Sequence, residues 1–201
     1  MNSALNLSME SFSPPFRISI CGLHELRRHC KAGVSHVLSI LDPDCPVPEA
    51  FGAFGEHAKL ELRFHDVIDE CSADMIAPQR VHIAELLAFG RGLTTAPPQN
   101  SHLLVHCYGG ISRSTAAMAL ILAQALPDTT ADRIFKAVLR IRPQAWPNLR
   151  ILELGEAELN RPGELVAAAN TIYRMQLARK QYQVEQMRAG RRDREIEAAM
   201  R

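Results

Sequence analysis

Hydrophobic and polar positions recur with a period that changes along the chain, and each change marks the next strand or helix. Residues 1–15 are polar and serine-rich, end in Pro14-Pro15, and read as a flexible lead-in. Phe16 to Cys21 then predicts a short strand, Leu23 to Lys31 a helix, and Ser35 to Leu41 a strand ended by the turn-forming Asp42-Pro43-Asp44. A loop containing proline and glycine follows through residue 56. Lys59 to His65 alternates, with Leu60, Leu62 and Phe64 on one face, the mark of a half-buried strand. Val81, Ala84, Leu87 and Ala88 have helical spacing inside a predicted helix from Pro78 to Phe89. After a turn over Thr94 to Ser101, Leu103-Leu104-Val105 is too short an apolar run for a helix and predicts a strand.

Ser114 to Leu126 is apolar nearly all round, which predicts a buried helix stopped by Pro127. Thr129 followed by Asp132 resembles a capping box and opens a helix with Ile134, Phe135, Val138, Leu139 and Ile141 inward, closed by Pro143. Pro147 suits the first turn of a further helix through Leu159. Strands alternating with helices predict an α/β domain over residues 16–160, a mainly parallel central sheet flanked by helices. Helical spacing continues through Leu165, Ala169, Ile172 and Met175 but thins after Leu177. Residues 161–201 therefore read as a helical extension whose last twenty or so residues form a solvated helix or disordered tail.

Composition adjusts this picture in a few places. A 47% hydrophobic content suffices for a core, and 23 basic against 22 acidic residues leave no global basic field, so nucleic acid is not an expected partner. The extension alone holds nine basic and five acidic residues. Its Arg188 to Arg194 cluster reads as a solvated face or as a docking surface for an acidic partner. Apolar runs long enough for a membrane span and the features of a secretory signal are both lacking, so a cytoplasmic address and no membrane partner are expected. Five cysteines without CxxC spacing and eight scattered histidines point to neither a disulfide framework nor a metal site, and no cofactor is expected.

The chemistry concentrates in one segment, His106-Cys107-Tyr108-Gly109-Gly110-Ile111-Ser112-Arg113-Ser114. A strand delivers a cysteine, a glycine-rich loop follows, and a helix starts at once. So compact a loop can turn its N–H groups onto one anion while the positive end of the helix points at the same spot. Gly109 and Gly110 permit the close approach, and Arg113 supplies a planar fork for two phosphate oxygens. A cysteine in such surroundings favours the thiolate, the nucleophilic form, and Ser114 is placed to hydrogen-bond the sulfur. The spacing alone is weak evidence: with 19 arginines among 201 residues, five cysteines give about half of one Cys-x5-Arg by chance. Cys21 to Arg27 is such a look-alike, with Glu25 placing a negative charge where the anion would sit, and reads as structural.

The segment from His106 to Ser114 resembles the signature loop of the cysteine-dependent protein tyrosine phosphatases, in particular their small dual-specificity-like branch, and the whole chain resembles a group of bacterial predicted tyrosine phosphatases. Arg142-Pro143 with Pro147-Asn148 is similar to a stretch found downstream in that branch, and the order of elements from residue 16 to 160 is similar too. The resemblance implies a phosphatase-like fold, Cys107 as nucleophile, Arg113 as phosphate clamp, Ser114 beside the sulfur, and residues Tyr108, Gly109, Gly110, Ile111, Ser112 and Arg113 as the substrate cradle. It gives His106 the task of holding the loop backbone.

The same resemblance implies an aspartic general acid upstream, for which Asp66, Asp69 and Asp74 are candidates unless all three simply cap turns. Asp66 continues the face of Leu60, Leu62 and Phe64 at the C-terminal end of a strand, the edge where open α/β sheets bind ligands. Asp69 stands as its alternative. The expected reaction is metal-independent phosphomonoester hydrolysis through a phosphocysteine, on a phosphotyrosine protein or a small aryl phosphate. Residues 108–112 lack Lys and Arg, which disfavours phosphoinositides and RNA triphosphates. The rival readings are a phosphate-binding module without turnover and a rhodanese-like or arsenate-reducing thiol enzyme. Cys71 could form a protective disulfide with Cys107, although a structural place for it is the simpler reading.

Overall fold

A computed structural model describes residues 14–70, 74–95, 101–179 and 183–200. Strand β1 (Arg17–Gly22) leads into a 3-10 turn over Leu23–His29, then β2 (His36–Leu41), a second 3-10 turn over Glu49–Ala53, and β3 (Ala58–Arg63). Helix α1 (Arg80–Thr95) precedes β4 (His102–Cys107), and from there the chain is helical: α2 (Arg113–Ala125), α3 (Ala131–Ile141), α4 (Leu149–Leu159), α5 (Glu164–Arg179), α6 (Gln183–Ala189) and α7 (Asp193–Met200). The predicted α/β architecture is the one observed.

The sheet has the order β1-β4-β2-β3 and every pairing is parallel. β4 runs between β1 and β2 and is buried along its whole length, so its side chains alternate between two apolar layers. Leu103, Val105 and Cys107 join the larger layer, made with the helices. Leu104 joins Cys21, Leu26, Val34, Val37 and Ala50 in a smaller one, roofed by the two 3-10 turns. Helix α2 lies at the centre of the larger layer, with residues 113–123 all buried. α4 crosses it so closely that a Cβ on Gly155 would fall 2.3 Å from the Leu120 side chain. The signature loop thus leaves the C-terminal edge of a central strand and enters a fully packed helix, two rigid supports.

Three expectations need correction. α3 is capped at Thr130, with no side-chain cap hydrogen bond, so Thr129 and Asp132 form no capping box. α4 begins at Leu149 because Asn148 is the N-cap, its side-chain oxygen accepting from Ile151 N at 3.0 Å, and Pro147 lies before the helix. The largest correction concerns the chain beyond Leu177, which is not a solvated tail: Arg192, Glu195, Ile196 and Ala199 are buried. Polar residues there hide by pairing with one another, so the segment lacks the apolar spacing that normally announces burial. Cys71 lies outside the described residues. Among those residues, no helix is long and apolar enough to cross a membrane.

Candidate active site

The backbone of residues 107–113 folds around a point above Cys107, and donors from outside the loop fix its polarity. Tyr108 O accepts from Leu23 N at 2.9 Å. Arg142 donates to Gly109 O and Gly110 O, both at 3.0 Å. Ile111 O accepts from Trp146 N at 2.9 Å and from the Thr115 hydroxyl, and Ser112 O from Ala116 N and Asn148 N. Every carbonyl from Tyr108 to Ser112 is thereby drawn outward. The amides of residues 109–112 donate to no other described residue, which leaves a nest of N–H groups at the start of α2.

Glycine is required where the loop rests on β1. Gly110 has φ +66°, and a Cβ there would fall 2.4 Å from the Cys21 carbonyl carbon and 2.6 Å from Arg142 Nη2. A Cβ on Gly22 would press against the Tyr108 and Gly109 backbone at 3.1 Å. The look-alike Cys21 to Arg27 is therefore the floor of the loop. Burial pushes the Cys21 thiol up to about 12, so it is an inert, protonated side chain.

Cys107 is 2% exposed, and its Sγ lies 3.2 Å from Ser114 Oγ. Arg113 is equally buried, and its Nη1 is anchored to Asp42 Oδ1 at 2.7 Å and Phe64 O at 2.6 Å. Its Nε is buried without a hydrogen-bond partner and its Nη2 donates to no described residue, so among these residues the Nε–Nη2 edge, which can hold two oxygens of an anion, is unengaged. His106 is fully buried against Phe51, and burial pushes it down to about 4, so it is neutral and no proton donor at physiological pH.

Asp42, Asp66, Met75, Tyr108, Ser112 and Arg192 are among the residues that line, with Cys107 and Arg113, a cavity of about 410 Å³. Of the sequence-predicted cradle residues Tyr108, Gly109, Ile111, Ser112 and Arg113 line it, whereas Gly110 turns toward β1. Tyr108 stands at the rim, 57% exposed, with its ring edge-on to His24.

Asp66 comes within reach of the loop through Oδ1, which accepts from Ser112 Oγ at 2.7 Å and Asn148 Nδ2 at 2.8 Å and pairs with Arg192 Nη1 at 3.2 Å. Its Oδ2 accepts from no described residue. Burial alone would raise this carboxyl, but the Arg192 and Arg113 guanidinium groups and the two hydrogen bonds outweigh it and hold it below the usual carboxylate range. Asp69 points elsewhere, pairing with Arg194 at 3.0 Å, and Asp74 is exposed; neither lines the cavity.

Sequence reasoning missed Asp42, Arg192 and Glu195 and gave Asn148 no task. Glu195, fully buried, accepts from Trp146 Nε1 at 2.5 Å and Leu149 N at 3.0 Å and takes a bidentate grip on Arg192. The signals were faint: an Arg and a Glu three residues apart, and a Pro-Asn step before an apolar helix.

No family model and no curated protein sequence matches the chain. Solved structures do. Human DUSP28 is 18% identical with a TM-score of 0.55, covering 74% of this chain and 93% of its own. PTPMT1 in complex with PI(5)P is 16% identical with a TM-score of 0.50, covering 72% and 90%. Human tyrosine phosphatase-like serine/threonine/tyrosine-interacting protein is 18% identical with a TM-score of 0.50, covering 69% and 84%. Identities this low speak for the backbone alone, and on that ground the chain has the fold of the dual-specificity phosphatases.

Proposed function

We propose that the protein is a cysteine-dependent phosphatase that hydrolyses aryl phosphate monoesters, phosphotyrosine in proteins being the natural form. The observation that carries this reading is the unengaged Nε–Nη2 edge of Arg113, set beside Cys107 Sγ within a nest of N–H groups whose carbonyls are all drawn away. That arrangement suits a tetrahedral dianion, and it supports Cys107 as the nucleophile toward a phosphorus bound there.

In the first step Cys107 Sγ, as thiolate, attacks phosphorus as the P–O(aryl) bond breaks. Arg113 and the loop amides take up the charge of the three equatorial oxygens. Asp66 Oδ2 gives its proton to the departing aryl oxygen, which leaves as a phenol. Water then attacks the phosphocysteine, Asp66 takes a proton from it, and the P–S bond breaks while Ser114 hydrogen-bonds the leaving sulfur. The order needs a protonated Asp66 in the first step. A phosphate dianion bound beside the carboxyl favours that form, since adjacent negative charge raises a carboxyl's affinity for a proton.

The walls support an aromatic leaving group. Val67, Met75, Tyr108, Ile111 and Met187 supply apolar surface, and among the described residues the cations of the lining, Arg113 and Arg192, are already paired with carboxylates. Little remains to match the extra charges of a phosphoinositide. A binding module without turnover would need Arg113 and the amide nest but gains nothing from Cys107, Ser114 and Asp66 converging on one anion.

The test is hydrolysis of para-nitrophenyl phosphate with a chelator present. Wild-type protein turns it over and is inhibited by vanadate. Cys107→Ser does not, yet still binds phosphate, because Arg113 and the amides remain. Cys30→Ser serves as the control. Loss of activity on chelation, or activity in Cys107→Ser, overturns the proposal.

A further inference from the structure

We propose that Arg192, from the C-terminal segment, is a positioning residue of the active site: it ties Asp66 to the signature loop and so decides which carboxylate oxygen carries the proton. The inference rests on the hydrolytic reading above. Arg192 lies in the turn between α6 and α7, far along the chain from the loop, yet it is 7% exposed. Its fork spans two sites. Nη1 meets Asp66 Oδ1 at 3.2 Å and Nη2 donates to Ser112 Oγ at 2.9 Å.

The fork is itself held. Nε and Nη2 donate to the two oxygens of Glu195, each at 2.6 Å, and Glu195 is locked in turn by Trp146 Nε1 and Leu149 N. Trp146 N donates to Ile111 O, so the clamp returns to the signature loop by a second route. α5 strengthens it, since Tyr173 and Gln176 donate to the carbonyls of Pro147, Pro143 and Ala145 in the same stretch. The C-terminal helices thus brace the loop and its acid from behind.

The consequence for the proton is a matter of donors. Ser112 and Asn148 donate hydrogens to Asp66 Oδ1 and the Arg192 cation pairs with the same oxygen, so it remains the acceptor. A proton on this carboxyl belongs on Oδ2, the oxygen free to face a leaving group. The charged and titratable groups around Asp66 are Arg113 with its partner Asp42, Arg192 with its partner Glu195, Cys107, the neighbouring His65 and the Tyr173 phenol. Asp42 balances Arg113 and Glu195 balances Arg192. Replacing Arg192 alone leaves Glu195 buried and unpaired, so the cleaner variant removes both charges.

The experiment uses the full chain as wild type, Arg192→Lys, Arg192→Gln, and the double variant Arg192→Gln with Glu195→Gln. Carbon-13 NMR follows the Asp66 carboxyl through a pH titration. Kinetics compare phosphotyrosine with an activated aryl phosphate. In both Gln-bearing variants the Asp66 midpoint is expected to rise by about one pH unit or more. The basic limb of kcat/KM against pH moves up with it, and kcat on phosphotyrosine falls roughly 10- to 100-fold while the activated ester is spared. Arg192→Lys keeps the midpoint near wild type.

An unchanged Asp66 midpoint in the double variant overturns the inference, and so does an equal loss on both substrates. Failure of the hydrolytic reading would show separately, as a wild type without turnover. The NMR titration decides the Arg192 contact without any turnover.

Discussion

Glu25 and Arg142, 117 residues apart, form an ion pair at 2.9 Å beneath the signature loop. Glu25 also accepts from Gly22 N at 2.6 Å, and the Arg142 guanidinium reaches on to the carbonyls of Gly109 and Gly110. The acidic residue that disqualifies the look-alike Cys21 to Arg27 as an anion site thus braces the loop proposed as one. Its hydrogen bond with Arg142 lowers the Glu25 carboxyl below its usual range, so the pair is intact at neutral pH and is lost only as pH falls through that lowered value.

Arg142→Ala should therefore free two loop carbonyls to turn inward, toward the anion. Activity on an aryl phosphate is expected to fall by at least about tenfold and stability by about 2 kcal/mol, measured by steady-state kinetics and urea unfolding. Glu25→Gln, which keeps a hydrogen-bond acceptor, should have a smaller effect in the same direction.

Asp66→Asn removes the proposed proton source and keeps the size. On phosphotyrosine it should lose on the order of 10²- to 10⁴-fold, and much less on an activated aryl phosphate whose oxygen leaves as an anion. Asp69→Asn, directed at Arg194, should show no such dependence on the leaving group; if it does while Asp66→Asn does not, the acid is Asp69.

Much of this site could be read directly from the sequence. β4 and α2 are a short apolar run and an all-round apolar helix, patterns that burial on both sides imposes, and the loop between them carries its chemistry in adjacent letters. The C-terminal segment was misread for a physical reason. Arg192 and Glu195 are buried by satisfying each other and by meeting Leu149 N, Trp146 Nε1 and Asp66, partners that lie 46, 49 and 126 residues away along the chain. Helical periodicity reports which face is apolar; it is silent about charges that are hidden in pairs.

Glu195→Ala tests that burial. It strands the Arg192 cation and leaves Trp146 Nε1 and Leu149 N without their acceptor, a loss of about 3–5 kcal/mol. For a domain of this size that corresponds to a melting temperature lower by roughly 10 °C. A change within about 2 °C would mean that the C-terminal segment packs loosely in solution.

His106 gives the fold a pH dependence. Burial holds it neutral down to about pH 4, whereas an unfolded histidine takes a proton near pH 6.5. Its contribution is fully present above about 6.5 and is lost as pH falls from there toward 4, on the order of 3 kcal/mol in all. His29, His36, His82 and His102 are lowered by burial too and slope the same way. The difference between wild type and His106→Gln in urea unfolding at about pH 7 and pH 5 isolates the one residue, and His106→Gln should be the less pH-sensitive.

The central claim is that phosphate passes through the sulfur of Cys107. Acid quenching during turnover of an aryl phosphate, followed by mass spectrometry of the peptide bearing Cys107, measures this directly. The account predicts one phosphoryl group on Cys107, more of it in Ser114→Ala, where departure of the sulfur is slowed, and none in Cys107→Ser. Turnover with no phosphorylated Cys107 in either wild type or Ser114→Ala, or with the phosphoryl group on another side chain, would contradict it.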